Sequence, residues 1–176
     1  MYRSKHEAYS FLSDAPEDLR CDFEILTDEI AGYVGLLRAF VDDEILREQL
    51  LFVCELVYHL NPSLRTKVTV TAEEAARLEG MTTELAEEAK KHIKQFVLPV
   101  GCRSAGFAHV LRSKGKALVR LLYRHAHQGH HVEEILFDIS NLLSGYFFLL
   151  AVKLNHMEGV AETPFISRNY KLEVSQ

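Results

Sequence analysis

The sequence predicts an all-α protein, a five-helix antiparallel bundle in a single domain spanning 1–176. Apolar residues recur at three- and four-residue steps along almost the whole chain, breakers punctuate that pattern at short intervals, and one late segment is apolar nearly all round. At 176 residues and 48% hydrophobic content, the chain can bury one substantial core.

Phe23, Leu26, Ile30, Val34 and Leu37 mark a first helix over about 16–40. A second runs from about Asp43 to Leu60 and stops before the breaker pair Asn61-Pro62. Thr71 with Glu74 is a capping-box signature, and it opens a third helix reaching about Phe96, with Gly80 a weak point inside it. Pro99 and Gly101 then break the chain. A fourth helix over about Ser104–His127 turns Phe107, Leu111, Leu118 and Leu122 to the core. Gly129 marks a turn, and a fifth helix covers about Val132–His156. Its Ile139, Leu142, Leu143, Tyr146, Phe147 and Phe148 leave no polar face, so it is expected to be buried on every side. Asp138, Asn141 and Ser144 on it then need partners, and a satisfied core asparagine is the plainer reading of Asn141. Residues 1–15 read as an irregular end, and 160–176, with Pro164 and ISRNYKLEV, as an irregular or short extended one.

The net charge of −5 gives no reason to expect nucleic acid as a partner. MYRSKHEAYSF lacks the apolar core of a signal peptide, and LLSGYFFLLAV (142–152) is too short to span a membrane, which takes ~20 residues. Cys21, Cys54 and Cys102 form no CxxC pair, which argues against a disulfide framework or a zinc site and for a reducing compartment. A soluble, cytoplasmic protein is expected.

The charge is unevenly spread. Between Ala89 and Val132 there is no Asp or Glu, yet nine of the 20 Lys and Arg and six of the nine His lie there. Within the fourth helix Arg112, Lys116, Arg120 and Arg124 fall four apart and form one inclined cationic ridge. Such a ridge is a solvated face or a site for a polyanion. Arginine meets phosphate bidentately and lysine acts as a point charge, so a triphosphate suits it. There is no P-loop and no GxGxxG, so phosphate would have to rest on side chains and helix ends. HAHQGHH (125–131) contains no acid or cysteine, and a solvated interhelical loop is favoured over a metal site. Cys102, just before the fourth helix, reads as an ordinary thiol rather than a reactive one.

Four segments resemble a known family. DLRCDFEILTDEIAG (18–32) is similar to D-P-R-x-x-x-x-G-x-x-D-E-L-N-S, and FVLPVG (96–101) to F-I-L-P-G-G. HVLRSKGKALVR (109–120) follows H-x-A-R-x-x-x-R-R-x-E-R, and SNLLSGYFFLLAVKLN (140–155) tracks L-N-R-L-S-D-x-L-F-x-L-A-R-x-x-N. Together they resemble the PduO-type ATP:cob(I)alamin adenosyltransferases over roughly 18–156. The resemblance implies a homotrimer with active sites between subunits, where Co(I) of a corrinoid attacks C5′ of ATP, supplied with Mg2+, and expels triphosphate. By the same resemblance, Phe96 displaces the corrinoid's lower axial ligand, Arg112 pairs across the interface with Asp28, and Lys116 and Asn141 contact ATP, with Arg120 left to help hold the triphosphate. No residue is implied as a metal ligand, and nothing matches the His and Cys cluster of the ethanolamine-utilisation branch. The family's N-terminal T-G-D-x-G-T loop has no counterpart in YRSKHEAYSF. Lys116 and Ala117 replace its arginine pair, Val119 its glutamate, Ala31 the asparagine of D-E-L-N, and Gly145 its late aspartate. The alternative is a non-catalytic relative that binds a corrinoid or another tetrapyrrole-like anion, and beyond it a plain helical interaction module.

Overall fold

A computed structural model describes residues 2–169. Its five α-helices are α1 (Leu19–Ala39), α2 (Glu44–Leu60), α3 (Ala72–Ala89), α4 (Arg103–His127) and α5 (Glu134–Met157), with a short 3-10 turn over Asn61–Leu64. Among the described residues there is no β-strand, only an isolated bridge between Val97 and Pro164.

The starts follow from local chemistry. The Asp18, Asp43 and Thr71 side chains each accept an N–H of the first turn, and Glu74 closes the capping box back onto Thr71. The helix through Gly80 is continuous. Phe23, Ile30, Val34 and Leu37 of α1 are buried, as are Leu111, Leu118 and Leu122 of α4, while Leu26 and Phe107 are only partly covered. Within α5, Ile139, Leu143, Tyr146, Phe147 and Leu150 are fully buried, but Leu142, Phe148 and Leu149 are not. The expectation of burial on every side therefore fails: one side of the helix is buried, while Asp138 and Asn141 are exposed and Leu142, Phe148 and Leu149 only partly covered. α5 is the one helix among the described residues long and apolar enough to cross a membrane, and half of its most apolar stretch lies inside the bundle.

Neighbouring helices are read from their contacts. Arg38 reaches Arg47 and Asp28 meets Tyr58, so α1 and α2 are antiparallel. Gly115 sits on Ser144 and Tyr123 on Phe137, so α4 and α5 are antiparallel too. Glu88 pairs with Lys153 while Thr82 approaches Gly145, so α3 lies parallel beside α5. The chain alternates in direction, yet this α3–α5 pair departs from an all-antiparallel arrangement. Residues 90–102 must consequently pass from the end of α3 to the start of α4, and FVLPVG is part of that crossover.

The third helix was expected to reach Phe96 and instead ends at Ala89. The His92 ring stacks on His156, with centroids 3.9 Å apart. Leu98 N–H donates to the Thr163 carbonyl (2.8 Å) and Phe165 N–H to the Phe96 carbonyl (2.8 Å). Pairing with the C-terminal segment thus claims the backbone groups that a longer helix would use. That segment was expected to be irregular or short and extended, and its residues 163–165 pair antiparallel with the crossover. Tyr170 and the KLEV that follows lie outside the described residues.

Candidate functional site

The crossover presents an apolar edge. Phe96 is 75% exposed, and Leu98, Val100, Phe165 and Ile166 are exposed around it. Large apolar side chains gathered at the surface mark a binding face rather than a core. Phe165 and Ile166 were missed by sequence reasoning, because only the backbone pairing brings them beside Phe96.

α4 begins directly after this edge, with the Cys102 side chain accepting the Ala105 N–H as its N-cap. Along it, Arg112 is half-buried and Lys116, Arg120 and Arg124 are exposed. None of the four forms an ion pair among the described residues. Arg112 and Arg120 stand about 12 Å apart along the axis at 1.5 Å per residue, a length suited to an extended polyphosphate. By contrast, Lys114 of the same helix is neutralised by Glu29 of α1 at 2.5 Å. The basic stretch is thus partly balanced within the chain, and the ridge is the part left over.

Arg112 lies over the Phe148 ring at 5.9 Å, and its buried Nε has no partner. Its carbonyl accepts from Ser144 Oγ at 3.2 Å. Asp28 is exposed on α1, where its carboxylate accepts from the Tyr58 hydroxyl at 3.0 Å. The structure brings Asp28 and Arg112 into no contact within one chain. Asn141 is exposed, not buried, and donates to the Phe137 carbonyl of its own helix at 2.9 Å. It lies in an α3–α5 groove of about 810 Å³ with Ala75, Glu79, Asp138 and Gly145. The antiparallel α4–α5 contacts place Arg120 and Asn141 at about the same level of the bundle. The satisfied core asparagine of α5 is Asn155, fully buried and overlooked by the sequence reading.

The N-terminal segment is not a loose end. Arg65 lies over the Phe11 ring at 3.6 Å and binds Asp14 (2.9 Å) and the buried Glu24 (2.6 Å). Glu24 is the dominant influence holding the Arg65 guanidinium protonated. This anchor ties residues 11–14 to the start of α1 and the 3-10 turn. Tyr9 and Leu12 meet Asp28 and Tyr58 around a depression of about 390 Å³.

The histidine-rich turn is exposed over 127–131, as expected of a solvated loop, and only its first histidine, in the last turn of α4, is covered. His125 is buried and stacks on His130 at 4.3 Å, and burial pushes its pKa down. His131 meets Glu133 at 3.1 Å. Among the described residues no three or more His, Cys, Asp or Glu converge as a metal site.

His109, one turn before Arg112, is buried with both ring nitrogens unpartnered. Burial first, then the Arg112 charge, pushes its pKa from the ordinary 6.5 down to about 4. The unfolded chain therefore binds a proton that the folded chain refuses between these values, and stability falls as the pH drops from 6.5 through 4. The expected loss over that window is about 1–3 kcal/mol, and His109→Leu should flatten it in melting curves taken across the range.

The description "Cobalamin adenosyltransferase" belongs to a family whose model matches residues 17–154. Solved structures share the fold. A variant PduO-type ATP:co(I)rrinoid adenosyltransferase from Lactobacillus reuteri complexed with ATP aligns with a TM-score of 0.75 at 21% identity, over 85% of this chain and 88% of that one. A variant PduO-type ATP:corrinoid adenosyltransferase from the same organism, complexed with cobalamin and ATP, gives 0.74 at 20% identity over 88% and 86%. A search of curated proteins returned no match.

Proposed function

Because the chain belongs to the cobalamin adenosyltransferase family, we propose that it transfers the 5′-deoxyadenosyl group of ATP to the Co(I) of a reduced corrinoid. The observation that carries this reading is the exposed apolar edge at Phe96 set at the head of a cationic ridge that has no ion pair among the described residues. One half suits a corrin face and the other a triphosphate. The cobalt electron pair forms the Co–C5′ bond, the C5′–O bond breaks, and triphosphate departs with that bonding pair. Lys116 and Arg120 offset the charge gathering on the leaving group. Asn141 contributes an amide beside it, and Phe96 excludes the lower axial ligand. Among the described residues no three or more His, Cys, Asp or Glu converge, so no protein ligand is assigned to the Mg2+ that accompanies the nucleotide. With three free thiols, a cytoplasmic, reducing setting suits the protein.

The site is completed by a second copy. Asp28 is exposed on α1, Arg112 on α4 is half-buried and has no ion pair among the described residues, and in a homotrimer they pair across the interface. Asp28→Arg should dissociate the trimer in light scattering, and adding Arg112→Asp should restore it. A wild-type chain that is monomeric at micromolar concentration overturns the assembly.

A second reading has its own support. The N-terminal segment is locked onto Arg65 and Glu24, and Ala117 and Val119 stand where the family carries charges, which favours a corrinoid binder without ATP chemistry. Mixing the protein with ATP and chemically reduced cobalamin decides the matter. Appearance of the alkylcobalamin spectrum supports transfer; corrinoid binding without it supports the second reading.

A further inference from the structure

The last turn of α5 holds the crossover from both sides. His156 stacks on His92, just upstream of FVLPVG. Asn155 closes the downstream side: its Oδ1 accepts the Cys102 N–H at 2.9 Å, and its Nδ2 donates to the Val100 carbonyl at 3.1 Å and to Glu162 Oε1 at 2.9 Å. One fully buried amide thereby links the crossover, the first residue before α4 and the C-terminal segment. The fit is close. Gly101 has φ +148°, and a Cβ there would lie 1.9 Å from Asn155 Oδ1, so the chain passes the amide where no other side chain fits.

We infer that Asn155 is a positioning residue: it sets the apolar edge carrying Phe96, and with it Phe165, by bonding the crossover and the C-terminal segment to the rigid end of α5. Its significance for adenosyl transfer rests on the function proposed above, but the placement itself is independent of that function. Only an amide serves here, because the two carbonyl-type acceptors need an N–H donor and the Cys102 N–H needs an oxygen. A carboxylate of the same shape would keep the Cys102 bond, lose both donated bonds and repel Glu162.

The chain contains no tryptophan, so Phe96→Trp installs a single reporter on the edge. Time-resolved fluorescence anisotropy of that protein is compared with the same protein carrying Asn155→Asp. The expected result is a new fast-decaying component at the reporter, with the helical circular dichroism unchanged. In the background that keeps Phe96, Asn155→Asp should lower kcat/KM for the corrinoid by roughly tenfold to a hundredfold while leaving the KM for ATP in place. Adding Glu162→Gln should recover part of the rigidity by restoring a donor to the introduced carboxylate. Should Asn155→Asp fail to fold, Gly101→Ala displaces the same amide from outside the helices and must loosen the reporter in the same way. Unchanged anisotropy in a folded variant overturns the inference. A loosened reporter in a protein with no transferase activity leaves the positioning role standing and counts against the proposed reaction alone.

Discussion

Phe96→Ala is expected to cut turnover by roughly a hundredfold or more while leaving the melting temperature nearly unchanged. A phenylalanine that plugs a core costs about 3–5 kcal/mol when truncated to alanine. Phe96 is 75% exposed on the crossover, so its truncation should fall within about 0.5 kcal/mol, as surface substitutions do. The loss of rate should appear with cob(II)alamin plus reductant and leave ATP affinity alone, because the role proposed for the ring is toward the corrinoid and not the nucleotide. A melting curve and a rate on the same preparation separate the two roles. Turnover equal to the wild type removes Phe96 from the chemistry.

The nucleotide side should respond to charge. ATP is expected to bind weakly, at millimolar concentration, because the segment before α1 is anchored to Arg65 and carries no T-G-D-x-G-T motif, and Ala117 and Val119 add no charge. What remains rests on Lys116 and Arg120, which are exposed and free of ion pairs among the described residues. A charge-assisted contact is worth about 1.5–3 kcal/mol, so Lys116→Ala should weaken ATP by roughly tenfold to a hundredfold and abolish detectable binding. Exposed charges are screened within about 8 Å at physiological salt, so raising the salt should imitate the mutation. Calorimetry showing submicromolar affinity that ignores both Lys116 and salt overturns this site. No binding at any concentration moves the protein to the corrinoid-binding reading.

The five helices and most of their core faces were legible in the sequence, because helical periodicity and N-caps such as Asp43 and Thr71 are local properties of adjacent residues. The ridge was legible for the same reason: four cations at four-residue steps must share one side of a helix. A triphosphate was legible from the ridge itself, whereas the corrinoid was legible only as a resemblance, carried by residue patterns such as FVLPVG and HVLRSKGKALVR.

Other features depended on segments far apart in the chain. The third helix stops at Ala89 instead of reaching Phe96, and residues 96–98 pair with 163–165, an interaction with no local signature. Asn141 and Asn155 are chemically the same residue on the same apolar helix, yet one is exposed and the other is the buried clamp of the crossover, since only the packed bundle decides which face meets a turn. The N-terminal segment is irregular, as expected, but its anchoring was not legible because the anchors, Glu24 and Arg65, lie outside it. Helix, cap and charge stripe are determined by the sequence because their energies are fixed within a few residues. The crossover, its clamp and the apolar edge are decided by tertiary structure, because their hydrogen bonds offset the entropy of ordering only after distant segments have been brought together.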